Sequence, residues 1–278
     1  MKDLIIGCST NYDWSKLKYW INSINQSGFD GEKVLILMNC DKETVLKVHD
    51  AGFKIVGFTH DQNQNLVHNS PIPVHVERFM HIYHYIKTTG PFRYVITTDV
   101  KDVVFQKNPI EYIEKNIVDK NLIFSSESIL YKDEPWGDRN LLETFGEYVY
   151  KVFKENEIYN VGVLAGTGEA MAALAINIFT SCTNRPIKIC DQSTFNFMIS
   201  QPPYTNTSLY TKSENGWACQ LGTTMDPSKI DGFKKFLLEE TPKVDNDTVT
   251  TSTGNSYYIV HQYDRVPDLK DKIEAKYG

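Results

Sequence analysis

Two aspartates, separated by two residues, form the segment of this 278-residue sequence whose residue types and spacing most directly suggest chemistry. Asp99 and Asp102 follow an apolar run that ends at Thr98, and a second apolar run begins at Val103. Carboxylate oxygens at the end of a strand are ligands that hard divalent cations prefer. The pair therefore predicts a cation site, and the alternative is a simple turn in which Asp102 accepts backbone hydrogen bonds.

The elements that would position this pair alternate between strand and helix through the first third of the chain. Short apolar runs predict buried strands at Leu4–Cys8, Val34–Met38, Phe53–Phe58 and Tyr94–Thr98. Apolar residues at helical spacing predict helices between them, from Trp14 to about Gly28, from the N-cap Asp41 to Gly52, and through Val76 to about Gly90. This alternation predicts βαβ units and a parallel sheet, with ligands at the carboxyl ends of its strands.

The second half of the chain is less regular. It contains strand signals at Leu122–Ser125, Val161–Leu164 and Tyr257–His261, and helix signals at Gly168–Phe179 and Asp191–Ile199. No linker, repeat or low-complexity tract interrupts it. We therefore expect one α/β domain over residues 1–278, with a donor-nucleotide half at about 1–108 and an acceptor half at about 109–278.

Five segments in a fixed order carry a family resemblance. The acidic segment resembles the metal-binding motif of GT-A glycosyltransferases, in the D-x-x-D form of the glycosyltransferase domain of procollagen lysyl hydroxylases. Four further segments resemble motifs of that domain or of the glycogenin-like retaining enzymes: Asn121–Glu127 with Trp136, Tyr159–Val163, Asp191-Gln192 with Asn196, and Val260–Arg265. The resemblance runs from about Leu4 to Arg265. It implies the GT-A fold, a Rossmann-like α/β architecture with a mostly parallel central sheet.

The resemblance also implies a metal site. Carried over residue by residue, it makes Asp99, Asp102 and His261 the ligands of Mn²⁺ or Mg²⁺, an ion that would bridge the phosphates of a UDP-sugar donor. Lys101 departs from the commoner D-x-D form by replacing its second acid, and this lysine could itself offset phosphate charge. For His261 alone, the structural alternative is a packed histidine at the end of a strand.

Catalytic roles are implied for three residues. Asp191, Gln192 and Glu127 would orient the sugar and stabilise an oxocarbenium-like centre, as in the glycogenin-like enzymes. Asn160 and Gly162 lie on the segment that resembles the acceptor-site strand and are expected to contribute to donor binding. The structural alternative for Asp191 is an ordinary N-cap.

The turn after the first strand, Ser9–Tyr12, resembles the turn that binds the base and the ribose in these enzymes. Tyr12 would stack on the base, while Thr10 and Asn11 would hydrogen-bond the base or the ribose; the alternative is a plain polar loop. Arg78 stands on the helix before the acidic segment, where related enzymes keep a basic residue for the donor. The alternative interpretation is that Arg78 lies on a solvent-exposed face of that helix.

The bulk composition narrows the choice of partners. A net charge of -6, with no basic stripe, excludes a typical nucleic-acid binder. The apolar run at Leu4–Ile6 is too short for a signal peptide or a membrane span, although peripheral association stays open. Five scattered cysteines, without a C-x-x-C pair, predict free thiols and a cytoplasmic protein, and argue against a structural zinc site.

The expected activity is transfer of a hexose or pentose from a nucleotide-diphosphate sugar to a glycan or small-molecule hydroxyl. The resemblance to the glycogenin-like enzymes implies retention of configuration. A sugar nucleotidyltransferase is the first alternative, but it needs a glycine-rich G-x-G-T-R loop that Gly7–Tyr12 lacks. The second alternative is a glycan- or nucleotide-binding protein that has lost its chemistry. The set Asp99, Asp102, Asp191 and His261 argues against it.

Overall fold

A seven-stranded sheet forms the centre of the computed structural model, which describes residues 1–278. Its strand order is β10-β8-β9-β6-β1-β2-β3, and all strands run parallel except β9, which is antiparallel to both neighbours. The strands of the whole chain are β1 Lys2–Thr10, β2 Glu32–Met38, β3 Lys54–Val56, β4 Thr59–His60, β5 Leu66–Val67, β6 Phe92–Thr98, β7 Val103–Phe105, β8 Leu122–Leu130, β9 Glu157–Thr167, β10 Ser208–Thr211, β11 Ala218–Gln220, β12 Lys243–Asp245, β13 Thr248–Thr250 and β14 Ile259–His261.

Helices cover both faces of this sheet. They are α1 Trp14–Gln26, α2 Lys42–Asp50, α3 Val74–Thr89, α4 Pro109–Asn116, α5 Pro135–Phe153, α6 Gly168–Cys182, α7 Asp191–Ile199, α8 Tyr204–Thr207, α9 Leu221–Thr224, α10 Ile230–Phe233 and α11 Pro267–Tyr277. None of them is long and apolar enough to cross a membrane. The prediction of an α/β fold with a mostly parallel sheet is confirmed.

The apolar runs predicted as strands alternate their side chains between two cores. Ile5 of β1 packs in one core with Trp20 of α1, whereas the adjacent Leu4 and Ile6 pack in the other core with Phe79 of α3. Because both faces are covered, these strands are apolar at nearly every position, as expected for parallel strands. The third predicted strand, Phe53–Phe58, is much shorter in the structure, since β3 pairs with β2 through only three residues.

Local capping explains where several helices begin. The Asp41 carboxylate accepts a hydrogen bond from the Thr44 N–H at 2.8 Å, so its predicted role as the N-cap of α2 is confirmed. The side chains of Asn108 and Thr167 cap α4 and α6 in the same way. Gly28 and Gly52 follow α1 and α2 with φ of 84° and 86°, a backbone conformation that glycine adopts without strain.

A second, three-stranded sheet connects distant parts of the chain. Its order is β11-β14-β7, with β14 parallel to β11 and antiparallel to β7. In this register His261 lies opposite Val103 on one side and opposite Gln220 on the other. The sheet therefore brings the late histidine next to the acidic segment that precedes β7.

Candidate active site

A cleft of about 660 Å³ opens at the carboxyl ends of the central strands. Eleven of the twelve residues predicted from the sequence line it: Thr10, Tyr12, Arg78, Asp99, Asp102, Glu127, Asn160, Gly162, Asp191, Gln192 and His261. Its volume is in the range that encloses small organic ligands. The remaining residue, Asn11, is exposed and does not line the cleft.

Asp99, Asp102 and His261 come together as one group of potential metal ligands. Each offers one ligand atom, and the three atoms lie within 4.8 Å of one another. His261 Nε2 is 3.5 Å from Asp99 Oδ2 and 3.7 Å from Asp102 Oδ1. Asp102 accepts a backbone hydrogen bond through its main-chain carbonyl, from the Gln262 N–H at 2.7 Å, so its carboxylate is not needed to hold the turn.

The orientation of the His261 ring fits a metal ligand. Gln220 Nε2 donates to Ser125 Oγ at 2.9 Å, and its Oε1 lies 2.7 Å from His261 Nδ1. This network places a proton on Nδ1 and directs Nε2 toward the two carboxylates. An unprotonated Nε2 would repel those oxygens unless a cation lay between them. Such an outer hydrogen bond is the usual support of a metal-binding histidine, so the residues fit a divalent ion.

The charges of this group depend strongly on one another. Burial alone would lower the pKa of His261, yet the neighbouring Asp102 and Asp99 raise it above its ordinary value. For Asp99, burial would raise the pKa, but the Arg78 charge and the His261 hydrogen bond hold it well below its usual range. Burial raises the pKa of Asp102 despite the opposing charge of His261. A proton or a metal ion can therefore serve as the counter-charge of this pair of carboxylates.

Arg78 joins the group formed by Asp99, Asp102 and His261 to the start of α7. Its guanidinium pairs with Asp99 and, at 3.4 Å, with Asp191 Oδ2. Arg78 is only 8% exposed, so the alternative of a solvated helix face is wrong. Asp191 is the first residue of α7 and Cys190 is the N-cap, so the N-cap alternative for Asp191 is also wrong. Burial raises the pKa of Asp191, although the nearby Arg78 opposes this shift.

Glu127 is held by two side-chain amides whose orientation the backbone determines. Asn160 Oδ1 accepts from the Gly162 N–H, and Gln192 Oε1 accepts from the Val161 N–H. Both NH₂ groups therefore point toward Glu127 and donate to its Oε1, at 2.8 and 2.7 Å. Any proton on this carboxyl group must lie on Oε2.

Burial raises the pKa of Glu127 to about 7, against the lowering effect of the Asn160 hydrogen bond. The strand around it is irregular: the β8–β9 register shifts on both sides of Ser126, and Ser128 has φ of 58°. Such irregularities re-aim side chains next to functional sites. Glu127 is therefore a buried carboxyl group that can gain or lose a proton near neutral pH.

Gly162 permits the close approach of β9 to Asp99 and His261. A Cβ at this position would lie 2.7 Å from Asp99 Oδ2, 2.7 Å from His261 Cε1 and 2.8 Å from Asn160 Oδ1. Its carbonyl also accepts a hydrogen bond from the Asp99 N–H at 2.7 Å. Glycine is therefore required here for space, because any side chain would displace the neighbouring ligand atoms.

The turn after β1 forms one wall of the cleft. Tyr12 is half-buried, packs against the core and has Lys16 Nζ 5.4 Å from its ring centre. Thr10 Oγ1 accepts from Asn11 Nδ2 at 3.2 Å and lies 3.4 Å from Asn39 Nδ2. The structure therefore leaves Tyr12 and Thr10 accessible to a ligand in the cleft, whereas the Asn11 side chain folds back onto the turn.

Several residues of the site lack a local sequence signal. The cleft is also lined by His75, Glu134 and Lys229 from distant elements, and by Trp136 and Arg265, which belong to the resembling segments described above. Trp136 is 53% exposed, so its indole is available at the surface of the cleft. Gln220, which orients His261, has no local sequence signal at all. Only the register of the three-stranded sheet reveals its role.

Comparisons with known proteins support the fold. No protein-family model matches the chain, and no curated protein matches it significantly. Among solved structures, the galactosyltransferase LgtC, in complex with donor and acceptor sugar analogues, is similar in fold with a TM-score of 0.52. The similarity covers 93% of this chain and 86% of that chain, at 10% sequence identity. The chain thus has the α/β architecture of a GT-A glycosyltransferase, as the sequence predicts.

Proposed function

We propose that this protein is a metal-dependent glycosyltransferase that transfers a hexosyl or pentosyl group from a UDP-sugar to the hydroxyl of a glycan or small acceptor. The observation that carries the proposal is the meeting of Asp99, Asp102 and His261 within 4.8 Å, in a cleft that also contains Glu127 and Asp191. The LgtC structure, determined with donor and acceptor sugar analogues, has a similar fold. These features together favour glycan biosynthesis.

Asp99, Asp102 and His261 would hold Mn²⁺ or Mg²⁺. When bound, the ion supplies positive charge to a diphosphate leaving group. Tyr12 and Thr10 would bind the nucleotide, with Tyr12 stacking on the base. Asn11 would contribute only after its side chain leaves Thr10. Asn160 and Gly162 form the wall of the cleft next to the ligand group and would limit the position of the donor.

The chain's own residues suggest how the sugar would be oriented. Gln192 is buried, and its amide is held by the Val161 N–H and by Glu127. Asp191 is held by Arg78, which keeps its carboxylate directed into the cleft. We propose that Asp191 and Glu127 stabilise positive charge at the anomeric carbon, while Gln192 fixes the position of Glu127. Charge stabilisation without a dedicated base is compatible with retention of configuration.

The central test measures donor binding and turnover separately. Purified protein is incubated with a panel of UDP- and GDP-sugars, with Mn²⁺ or with excess chelator, and nucleotide release is measured. We expect slow, Mn²⁺-dependent hydrolysis of at least one donor, and loss of both binding and hydrolysis in Asp102→Asn. Donor binding that is undiminished in chelator would remove the metal from the mechanism. Tight binding without any turnover would identify a binding protein instead.

We also propose that residues 1–278 act as one domain in the cytoplasm. The cleft supports the first point, because residues before and after position 108 line it together, for example Asp99 and Asp191. The odd number of cysteines, five, supports a reducing compartment. All five thiols should react with an alkylating agent after unfolding. A native disulfide detected by mass measurement would contradict the proposed location.

A further inference from the structure

A second group of potential metal ligands lies outside the cleft. His68, Glu77 and His81 each offer one ligand atom, and these three atoms lie within 4.8 Å of one another. None of the three lines the cleft. We propose that this His/Glu cluster binds a zinc ion. The proposal is independent of glycosyl transfer, since it rests only on the cluster itself.

The geometry of the cluster is close to what zinc requires. Glu77 Oε1 lies 2.8 Å from His68 Nε2 and 3.5 Å from His81 Nε2. Tetrahedral zinc with bonds of about 2.0–2.1 Å places neighbouring ligand atoms about 3.3 Å apart. The two observed separations lie on either side of this value. Small side-chain rotations would therefore complete a site with two imidazoles and one carboxylate, leaving the fourth position to water.

One ligand atom of the cluster lacks a partner within the protein. His81 Nε2 is buried and makes no hydrogen bond, although Glu77 Oε1 lies only 3.5 Å away. Buried polar atoms are rarely left unpaired, so each such atom calls for an explanation. A bound cation would satisfy this nitrogen directly.

An apolar cover shields the cluster on one side. The Phe58 ring lies 4.3 Å from the His68 ring and 4.5 Å from the His81 ring, measured between centroids. The Glu77 side chain is only 5% exposed. Partial exclusion of water strengthens the attraction between a carboxylate and a cation. The two metal sites should also differ in preference, because two imidazoles suit zinc, whereas the carboxylate-rich site in the cleft suits manganese.

The position of the cluster suggests a structural role for the ion. His68 directly follows β5, and its N–H donates to Asn39 Oδ1 at 2.8 Å, whereas Glu77 and His81 lie one turn apart on α3. A zinc ion would therefore cross-link the segment after β5 to α3, the helix that carries Arg78. The cysteine pattern argues against a structural zinc site, but the ligands used here are histidines and a glutamate.

The test uses Zn²⁺ and Co²⁺ as probes on chelator-stripped, full-length protein. Asp99→Asn/Asp102→Asn serves as the background, so that the cleft cannot contribute metal binding. We expect this protein to bind one zinc ion per chain in a competition assay with a chromophoric chelator. Its Tm should rise with zinc concentration, because the ion binds only the folded state. Co²⁺ should give the visible absorption bands of a four-coordinate site.

Two variants and one control make the result decisive. In the same background, His81→Gln should weaken zinc binding by at least about 100-fold, since loss of a direct ligand exceeds the effect of losing an outer partner. Glu77→Gln, which keeps the size of the side chain, should weaken it as well, and circular dichroism should verify that both variants are folded. His84→Gln, at an exposed position on the same helix, should bind zinc normally. No zinc bound at micromolar concentration, or equal affinity in the background and in folded His81→Gln, would overturn the proposal.

Discussion

Replacement of Gly162 by alanine tests the metal site without removing any proposed ligand. The added Cβ would lie 2.7 Å from Asp99 Oδ2 and from His261 Cε1, whereas ordinary van der Waals contact begins at 3.4 Å. One or both ligands must therefore move by about 0.7 Å, or β9 must shift. Metal–ligand distances in proteins tolerate deviations of only about 0.2 Å.

The expected loss follows from this displacement. Loss of the hydrogen-bond partner that orients a metal ligand lowers metal affinity by about 10–100-fold. We expect a similar loss when a ligand is moved by several tenths of an ångström. This range corresponds to about 1.4–2.7 kcal/mol of binding free energy. Overpacking should also lower the stability of the metal-free protein by about 1–3 kcal/mol.

Mn²⁺ affinity can be measured directly from the electron paramagnetic resonance signal of the free ion, and UDP binding by calorimetry. Gly232→Ala is the matched control, because a Cβ there meets nothing within 4 Å. It should leave Mn²⁺ affinity unchanged and should stabilise α10 by up to about 1 kcal/mol. If Gly162→Ala binds Mn²⁺ as tightly as the original protein, Asp99 and His261 are not its ligands.

Three further substitutions test the other parts of the cleft. Glu127→Gln replaces a buried carboxyl group by a neutral amide. The pKa of this carboxyl group is about 7 in the folded protein, against an ordinary value of 4.5. The folded protein holds that proton more tightly than the unfolded chain does. The free energy of unfolding should therefore fall by about 3 kcal/mol as pH rises from about 4.5 to about 7. In urea unfolding over the same pH range, the free energy of unfolding of the variant should fall less. Tyr12→Ala should weaken UDP binding by about 1–3 kcal/mol in calorimetry, if the ring stacks on the base. Asp191→Asn should lower turnover strongly with near-normal donor binding, and proton NMR of the product should show an α linkage from an α-linked donor.

For each of these three predictions, a different result would contradict the expected role of the residue. Equal pH dependence in Glu127→Gln and the original protein would mean that another group titrates in this range. Unchanged UDP affinity in Tyr12→Ala, with reduced activity, would place this ring against the acceptor. A β-linked product would mean that the enzyme inverts configuration and that Asp191 is the base that activates the acceptor hydroxyl.

The sequence predicts those parts of the fold that depend on local patterns. Apolar runs and helical spacing locate β1, β2, β6 and β9, and α7 begins and ends at the predicted residues, Asp191 and Ile199. Turn and capping residues such as Asp41 predict where the helices begin and end. These elements are predictable because their hydrogen bonds or their buried faces are determined by neighbouring residues.

Long-range pairing explains most of what the sequence does not predict. The sequence predicts a strand that ends at His261, but the partners of this strand, β7 and β11, are three-residue strands that only the pairing reveals, and this pairing brings Gln220 to His261. The burial of Arg78 depends on Asp99 and Asp191, which lie 21 and 113 residues farther along the chain. The His/Glu cluster also joins a loop to a helix. Neither propensity nor periodicity contains information about such contacts.

The charge balance of the cleft provides an independent reason to expect metal dependence. Arg78 is already paired with Asp99 and Asp191, and both Lys101 and Arg265 lie next to Asp264, at 3.1 and 3.6 Å. These three cations therefore already have protein carboxylates as partners, and the exposed Lys229 is the lysine of the cleft that has none. Repulsion from Asp99 and Asp102 would oppose an anionic donor. A divalent ion between these two carboxylates reverses the sign of that interaction, so chelation should abolish donor binding itself rather than only slow the transfer step.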